Sequence, residues 1–174
     1  MIIESHYWVK DIKKQLKRLS KINIKYLNEK TVFEIEKSFF YTAYAIRKLY
    51  QSNKITDDLF KQDIILNFYK PKKLIHKRNW WNVDELYDLN NANKCSVKLD
   101  YLTNQIIHSY TFLIIKKKNK YKILFHSDKN RNKLIYAISI KKYINLLKNI
   151  IELDITNIKF TFDKKSQDYK LITK

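Results

Sequence analysis

The chain is 45% hydrophobic and 14% aromatic, which is enough apolar material for one well-buried core. Its length of 174 residues is short for two separate domains. Its 36 lysines and arginines outnumber its 17 aspartates and glutamates, and the formal net charge of +19 favours polyanionic partners such as RNA, DNA or an acidic protein. The complete absence of glycine excludes phosphate-binding glycine loops, dinucleotide-binding fingerprints and nucleophile elbows, whose backbones need glycine.

The lysine excess has a competing explanation. Many Lys, Asn and Ile residues together with few Arg and Ala are what an AT-rich genome produces through codon bias alone. The same bias also favours Asp and Glu codons, and these residues are few, so codon bias accounts for only part of the imbalance. The charge therefore predicts a class of partner and not a fold.

Cysteine and histidine usage sets further limits. Cys95 is the only cysteine, so no internal disulfide can form. The start of the chain lacks the apolar core of a secretory signal, and no stretch is long and apolar enough to span a bilayer, which predicts a cytoplasmic protein without a membrane partner. No metal-ligand spacing occurs among the histidines, so neither a metal nor another cofactor is predicted. The histidines are His6, His76, His108 and His126.

Residues 7–20 form the first predicted helix. Their apolar side chains recur at helical spacing and lysines cover the remaining surface, which is typical of a basic amphipathic helix. Such a helix normally packs its apolar stripe on the core, although the same pattern suits binding to a membrane surface or to phosphates.

A second, strongly apolar helix is predicted to begin at Thr31, which makes a capping box with Glu34. Its apolar residues leave little surface for solvent, so we expect this helix to be central to the core. Arg47 is conspicuous on it, because a guanidinium near an apolar face needs a carboxylate or a phosphate as partner. We expect an ion pair with Asp84 or Glu85.

A basic and aromatic segment follows. Thr56 is the N-cap of a short helix predicted over residues 57–65, and residues 68–78, which contain the only proline, form an extended connection to a short helix over residues 82–89. Basic side chains beside exposed rings can bind a single strand, since cations hold phosphates while rings stack on bases. Alternatively, at least one of the two tryptophans fills the core. The predicted nucleic-acid-binding residues are Lys72, Lys73, Lys77, Arg78 and Trp80.

Strands dominate the C-terminal half. Three short β-branched or apolar runs predict an antiparallel meander. These runs are residues 110–115, 121–125 and 133–138. Ser139 caps a long amphipathic helix, and residues 157–163 alternate as a strand that pairs with residues 169–172. The whole chain, residues 1–174, is therefore predicted to be one α+β domain, with N-terminal helices packed on a C-terminal antiparallel sheet and one long helix.

Residues 98–112 contain the strongest candidate for chemistry. Apolar residues recur at helical spacing there, and Asn104 and His108 lie four residues apart, which stacks them on one helix face. A histidine that titrates near neutral pH can take a proton from a ribose 2′-hydroxyl while an amide orients the phosphate. Alternatively, His108 only bonds a backbone carbonyl at the helix end and Asn104 caps the neighbouring chain.

The spacing of Asn104 and His108, behind a long N-terminal helix, resembles the HEPN superfamily, small helical proteins of which many are ribonucleases. The motif of that family is an arginine, a polar residue that is often asparagine, a few variable residues and a histidine. Asn104 and His108 match this motif, and Thr103 stands at the position of the arginine. The resemblance implies that Asn104 and His108 are the catalytic residues of a degenerate, metal-independent ribonuclease site.

The sequence therefore predicts a small basic RNA-binding protein with a HEPN-like ribonuclease site, and RNA is favoured over DNA as its partner. A homodimer is compatible with this prediction. The alternative is a non-catalytic interaction protein, such as a phage or defence-system regulator, that binds an acidic protein. The segments NQIIHSY and SDKNRNKLIYAISI also resemble small bacterial proteins of no assigned function.

Overall fold

The structure, a computed structural model, describes residues 4–22, 27–117, 120–152, 158–163 and 167–173. It is an α+β fold, as the sequence predicts. The helices are α1 (Ser5–Lys21), α2 (Glu29–Gln51), α3 (Asp57–Phe60), α4 (Val83–Leu86), α5 (Leu99–Ile107) and α6 (Ile140–Ile151). The strands are β1 (Asp63–Tyr69), β2 (Asn93–Lys98), β3 (Ser109–Lys117), β4 (Lys120–Ser127), β5 (Ile135–Ser139), β6 (Ile158–Asp163) and β7 (Asp168–Thr173).

Five strands form an antiparallel sheet in the order β2-β1-β5-β4-β3, and β6 pairs with β7 in a separate hairpin. The predicted meander is confirmed as β3, β4 and β5, which pair with their neighbours along the chain. The long C-terminal helix is also confirmed, because the Ser139 hydroxyl accepts a hydrogen bond from the Lys142 N–H at the start of α6.

The prediction of a helix over residues 57–65 is wrong in its second half. The helix ends at Phe60, and β1 begins at Asp63. Ile64 and Leu66 alternate toward the helices, which fits a strand with one face on the core. Its partner β2 was missed altogether, because residues 93–98 are mostly polar and exposed, so the sequence shows little apolar alternation.

The predicted caps differ in detail. Asn28, not Thr31, caps α2, since its side-chain oxygen accepts from the Thr31 N–H at 2.8 Å and from the Thr31 hydroxyl at 2.9 Å. The short helix predicted over residues 82–89 spans only Val83–Leu86, and Asn82 before it makes no side-chain cap. Thr56 caps α3 as predicted, accepting from the Leu59 N–H.

A closed loop of residues 70–88 covers part of the sheet face opposite the helices. Its two ends run antiparallel, with the Lys72 N–H 2.7 Å from the Leu86 carbonyl and the Asp88 N–H 2.9 Å from the Lys70 carbonyl. Apolar residues of the loop, among them Ile75, join a second core cluster with β4 and β5. These two strands are therefore buried on both faces, which explains why residues 135–138 carry no polar side chain except a tyrosine hydroxyl.

The main core is centred on an aromatic stack between α2 and α6. The rings of Phe39 and Tyr143 lie 3.9 Å apart at an interplanar angle of 14°, and Phe112 of β3 meets Phe39 edge-on at 5.6 Å. The Thr42 hydroxyl donates to the Ser38 carbonyl at 2.6 Å, so the Tyr143 hydroxyl, 2.7 Å away, donates to Thr42. Complete burial raises the pKa of Tyr143 well above its ordinary value.

We expect Phe39→Ala to lower the free energy of unfolding by about 3–5 kcal/mol, because it leaves a cavity in this stack. Phe33→Ala is the matched control, since Phe33 lies on the same helix but is 56% exposed, and it should change stability by no more than about 0.5 kcal/mol. Denaturant titrations followed by circular dichroism measure both values. Equal losses for the two variants would contradict the central role of Phe39.

Candidate functional site

Arg47 and Asn104 meet where α2 packs on α5. The Arg47 guanidinium Nη1 donates a hydrogen bond to the Asn104 side-chain oxygen at 2.7 Å, a short distance typical of a charge-assisted bond. The expected ion pair of Arg47 with Asp84 or Glu85 is wrong. Glu85 pairs with Lys73 instead, and α4, which carries both acids, belongs to the loop on the opposite face of the sheet.

His108 ends α5 directly beside this pair. Its backbone N–H donates to the Asn104 carbonyl at 3.0 Å, and its side chain is exposed. Asn104 is thus bonded to Arg47 through its side chain and to His108 through its backbone. We call these three residues the Arg47 patch.

Thr103, at the position of the family arginine, points into the core. It is 2% exposed, and its hydroxyl donates to the Asp100 carbonyl at 2.8 Å. A guanidinium at this position would lose its hydration, which is costly without a buried partner. In this fold the cation beside Asn104 comes from α2 instead, 57 residues earlier in the chain. No sequence pattern predicts this pairing, since only the packing of α2 on α5 brings the two residues together.

The basic segment predicted to bind nucleic acid lies in the closed loop of residues 70–88. Asn79 holds the loop in shape, because its oxygen accepts from the His76 N–H at 2.8 Å and its nitrogen donates to the Leu74 carbonyl at 2.9 Å. Lys77 and Arg78 project from this ordered turn and are exposed. Within the described residues, neither has a carboxylate within ion-pair distance.

The other predicted binding residues have partners inside the chain. The Lys72 ammonium donates to the Asp84 carbonyl at 3.1 Å, and Lys73 lies 3.5 Å from Glu85. Trp80 is half-buried and packs on the second core cluster, while Trp81, edge-on to it at 5.9 Å, is 51% exposed. The more exposed ring is therefore that of Trp81 and not that of the predicted Trp80. The sequence alone does not show which of two adjacent tryptophans is buried.

Most of the positive charge is not neutralised within the chain. In the part of the chain that the structure describes, the lysines and arginines in ion pairs are Lys14, Arg18, Lys61, Lys73, Lys98 and Arg131. All of these pairs are at least partly exposed, so each adds little to stability. Most of the net charge of +19 is therefore available to attract negatively charged molecules from solution.

The described residues contain no group of three or more His, Cys, Asp or Glu side chains that could hold a metal ion. None of their helices combines the length and the apolar character that crossing a bilayer requires. Comparison with models of protein families, with curated proteins and with solved structures finds no match to the chain. The HEPN resemblance thus stays a prediction based on Asn104 and His108.

His126 is a buried group that the sequence analysis did not single out. It is 0% exposed, and its ring lies parallel to Tyr110 at 6.0 Å. The ring nitrogen Nδ1 is 3.0 Å from the Ser127 carbonyl, which can only accept, so we assign the proton to Nδ1. Nε2 then has a lone pair and no partner among the described residues. Burial lowers the pKa of His126, more than the nearby Ser127 carbonyl raises it.

We expect this histidine to make stability depend on pH. The unfolded chain binds a proton near pH 6.5, whereas the folded chain binds it only at lower pH. Stability is therefore complete above about pH 6.5 and falls as the pH drops below it, by at most about 1.4 kcal/mol per pH unit. Denaturant titrations of His126→Gln between pH 7 and about pH 5 should show a smaller slope than the wild type. The exposed control, His108→Gln, should keep the wild-type slope, and loss of the slope in that variant instead would refute the assignment.

Proposed function

We propose that the protein is a cytoplasmic RNA-binding protein and that the Arg47 patch is a metal-independent, ribonuclease-like site. The observation that carries this proposal is the 2.7 Å bond between Arg47 and Asn104 beside the exposed His108. This bond joins a guanidinium to the amide of Asn104, one helical turn before His108, although Thr103 stands where the HEPN motif has its arginine. The three groups together suit a phosphodiester.

Each group of the patch has a distinct role in this proposal. Because the amide oxygen of Asn104 accepts from Arg47, its amide nitrogen remains as the donor that orients a phosphate oxygen. The Arg47 guanidinium stabilises the negative charge that develops on the phosphorus oxygens as the ribose 2′-oxygen attacks. His108 accepts the proton of the 2′-hydroxyl during that attack. The bond between phosphorus and the 5′-oxygen breaks, which leaves a 2′,3′-cyclic phosphate, and the departing 5′-oxygen takes a proton from water.

The wider surface supports RNA as the polyanion. Lys77 and Arg78 are exposed, unpaired within the described residues and held on a turn that Asn79 braces. Exposed Trp81 adds a ring on the same loop, and stacking on single-stranded bases is sequence-tolerant because every base has a π-face. A surface of cations with an exposed ring suits a single-stranded nucleic acid better than it suits a partner that offers only negative charge.

Binding to an unstructured single-stranded RNA should depend strongly on salt, because phosphate contacts release counterions. If roughly six phosphates are neutralised, affinity should fall by about 300-fold between about 50 and 200 mM salt, from the slope for single strands. Fluorescence anisotropy with a labelled oligonucleotide measures this slope. Lys77→Ala with Arg78→Ala should weaken binding and flatten the slope. An affinity that is nearly flat with salt would remove the main support for RNA binding.

Cleavage tests the second half of the proposal. His108→Ala should lower the rate of metal-independent RNA cleavage by about 10²–10⁴-fold while RNA affinity stays close to the wild type. Arg47→Ala should lower the rate as well, since it removes the cation beside Asn104. His6→Ala is the control, because His6 is exposed and lies at the start of α1. If the wild-type protein, assayed with a metal chelator, cleaves no single-stranded RNA, the ribonuclease assignment is wrong and RNA binding stands alone.

A further inference from the structure

Two loops that are far apart in sequence meet beside the second core cluster. The Ile75 N–H donates to the Asn132 side-chain oxygen at 2.8 Å, across 57 residues of chain. The Tyr87 hydroxyl donates to the Arg131 carbonyl at 3.0 Å, across 44 residues. These bonds fix the turn of residues 128–133, between β4 and β5, against the closed loop of residues 70–88.

The two bonds join segments that each carry unpaired cations close in sequence to the contact. Lys77 is two residues from Ile75, and Lys133 is next to Asn132. Both lysines are exposed, as is Lys129 at the start of the turn. Within the described parts of the chain, none of the three has a carboxylate within 4 Å.

Residues 70–88 and 128–133 together hold eight lysines and arginines but only four acids, and two of these acids are already in ion pairs. Glu85 pairs with Lys73 at 3.5 Å, and Asp128 pairs with Arg131 at 3.4 Å. The positive field of the remaining lysines is therefore not cancelled at the junction, where a phosphate would meet cations from two directions.

The turn is also held rigidly. The Arg131 guanidinium lies over the Tyr110 ring at 4.8 Å from its centre, which is the geometry of a cation–π contact. A surface that is ordered before binding loses less entropy when a ligand arrives, so its few contacts yield more affinity.

We propose that these loops form one binding surface for single-stranded RNA, in which Lys77, Arg78, Lys129 and Lys133 contact phosphates and Trp81 stacks on a base. We call these five residues the two-loop surface. This inference rests on the proposed RNA binding and adds to it the turn of residues 128–133, which sequence analysis treated only as a connection between strands.

Helix α1 offers the comparison surface. A groove of about 530 Å³ there is lined by Lys14, Lys17, Arg18, Lys21 and Ile22. Two of its cations are paired, Lys14 with Asp11 at 2.7 Å and Arg18 with Glu34 at 3.1 Å, and its lining includes no aromatic ring. The cations of this groove therefore have no ring beside them on which a base could stack, and lysines of this part of α1 are suitable controls.

The test compares two double variants that remove the same charge. Lys129→Ala with Lys133→Ala lies on the two-loop surface, and Lys13→Ala with Lys17→Ala lies on α1, where both lysines are exposed. Each variant lowers the net charge by two, so a difference between them reports position and not overall charge. The probe is a labelled, unstructured RNA of about 20 nucleotides in an anisotropy titration, and circular dichroism checks that each variant is folded.

The two-loop variant should bind about tenfold or more weakly and should flatten the salt slope by about 1.4, the value for two single-strand phosphate contacts. The α1 variant should bind nearly as the wild type does. Trp81→Ala should weaken binding by roughly 5- to 150-fold, the range for loss of one stacked base, and RNA should quench the wild-type tryptophan fluorescence.

Three results would overturn the inference. If both double variants weaken binding equally, RNA binds through the overall positive charge and not through the two-loop surface, but the proposed RNA binding stands. If vesicles of anionic phospholipid compete with RNA at the two-loop surface and bind more tightly, the surface is a membrane contact. If the wild-type protein fails to bind RNA even at low salt, the proposed function falls together with this inference.

Discussion

The packing of one face of α2 against the other helices and the sheet is the constraint on which the rest of the structure depends. Its centre is the stack of Phe39 on Tyr143, which fixes α6 and, through Phe112, the edge of the sheet. Three further helices, α1, α5 and α6, are each joined to α2 by a side-chain hydrogen bond. These bonds join Ser38 to Gln15 of α1 at 2.9 Å, Thr42 to Tyr143 of α6 at 2.7 Å, and Arg47 to Asn104 of α5 at 2.7 Å. The contact that forms the candidate site is thus also one that orients the core.

Sequence reasoning predicted the elements whose hydrophobic period is strong. α1, α2, α6 and the meander follow from apolar spacing, because each buries one wide face or stripe. It missed β2, where half-buried Cys95 and Val97 alternate with polar residues, and it extended α3 into β1, where a short apolar run is ambiguous between helix and strand. Those two strands depend on each other through pairing, and pairing between distant segments leaves no local signal.

The candidate site likewise contains residues that sequence patterns predict and residues that they do not. Asn104 and His108 could be predicted as neighbours because one helical turn relates them, and the structure keeps them adjacent. The contact of Arg47 with Asn104 could not be predicted. A guanidinium is expected to pair with an acid, and residue spacing within one helix does not show which amide a second helix brings near. In the basic loop, Lys77 and Arg78 are exposed, and their binding role stays a prediction, whereas the difference between Trp80 and Trp81 depends on which ring faces the sheet.

The arginines help to separate codon bias from function. An AT-rich genome supplies lysines freely and arginines rarely, and this chain has only four arginines. Three of them make a defined contact: Arg18 with Glu34, Arg47 with Asn104, and Arg131 with Asp128 and the Tyr110 ring. The guanidinium of Arg78 has no partner among the described residues, although its backbone is fixed by His76. Because a planar, forked donor is suited to bidentate contacts with phosphate, this guanidinium is a chemically suitable group for the phosphate contact that we propose for Arg78.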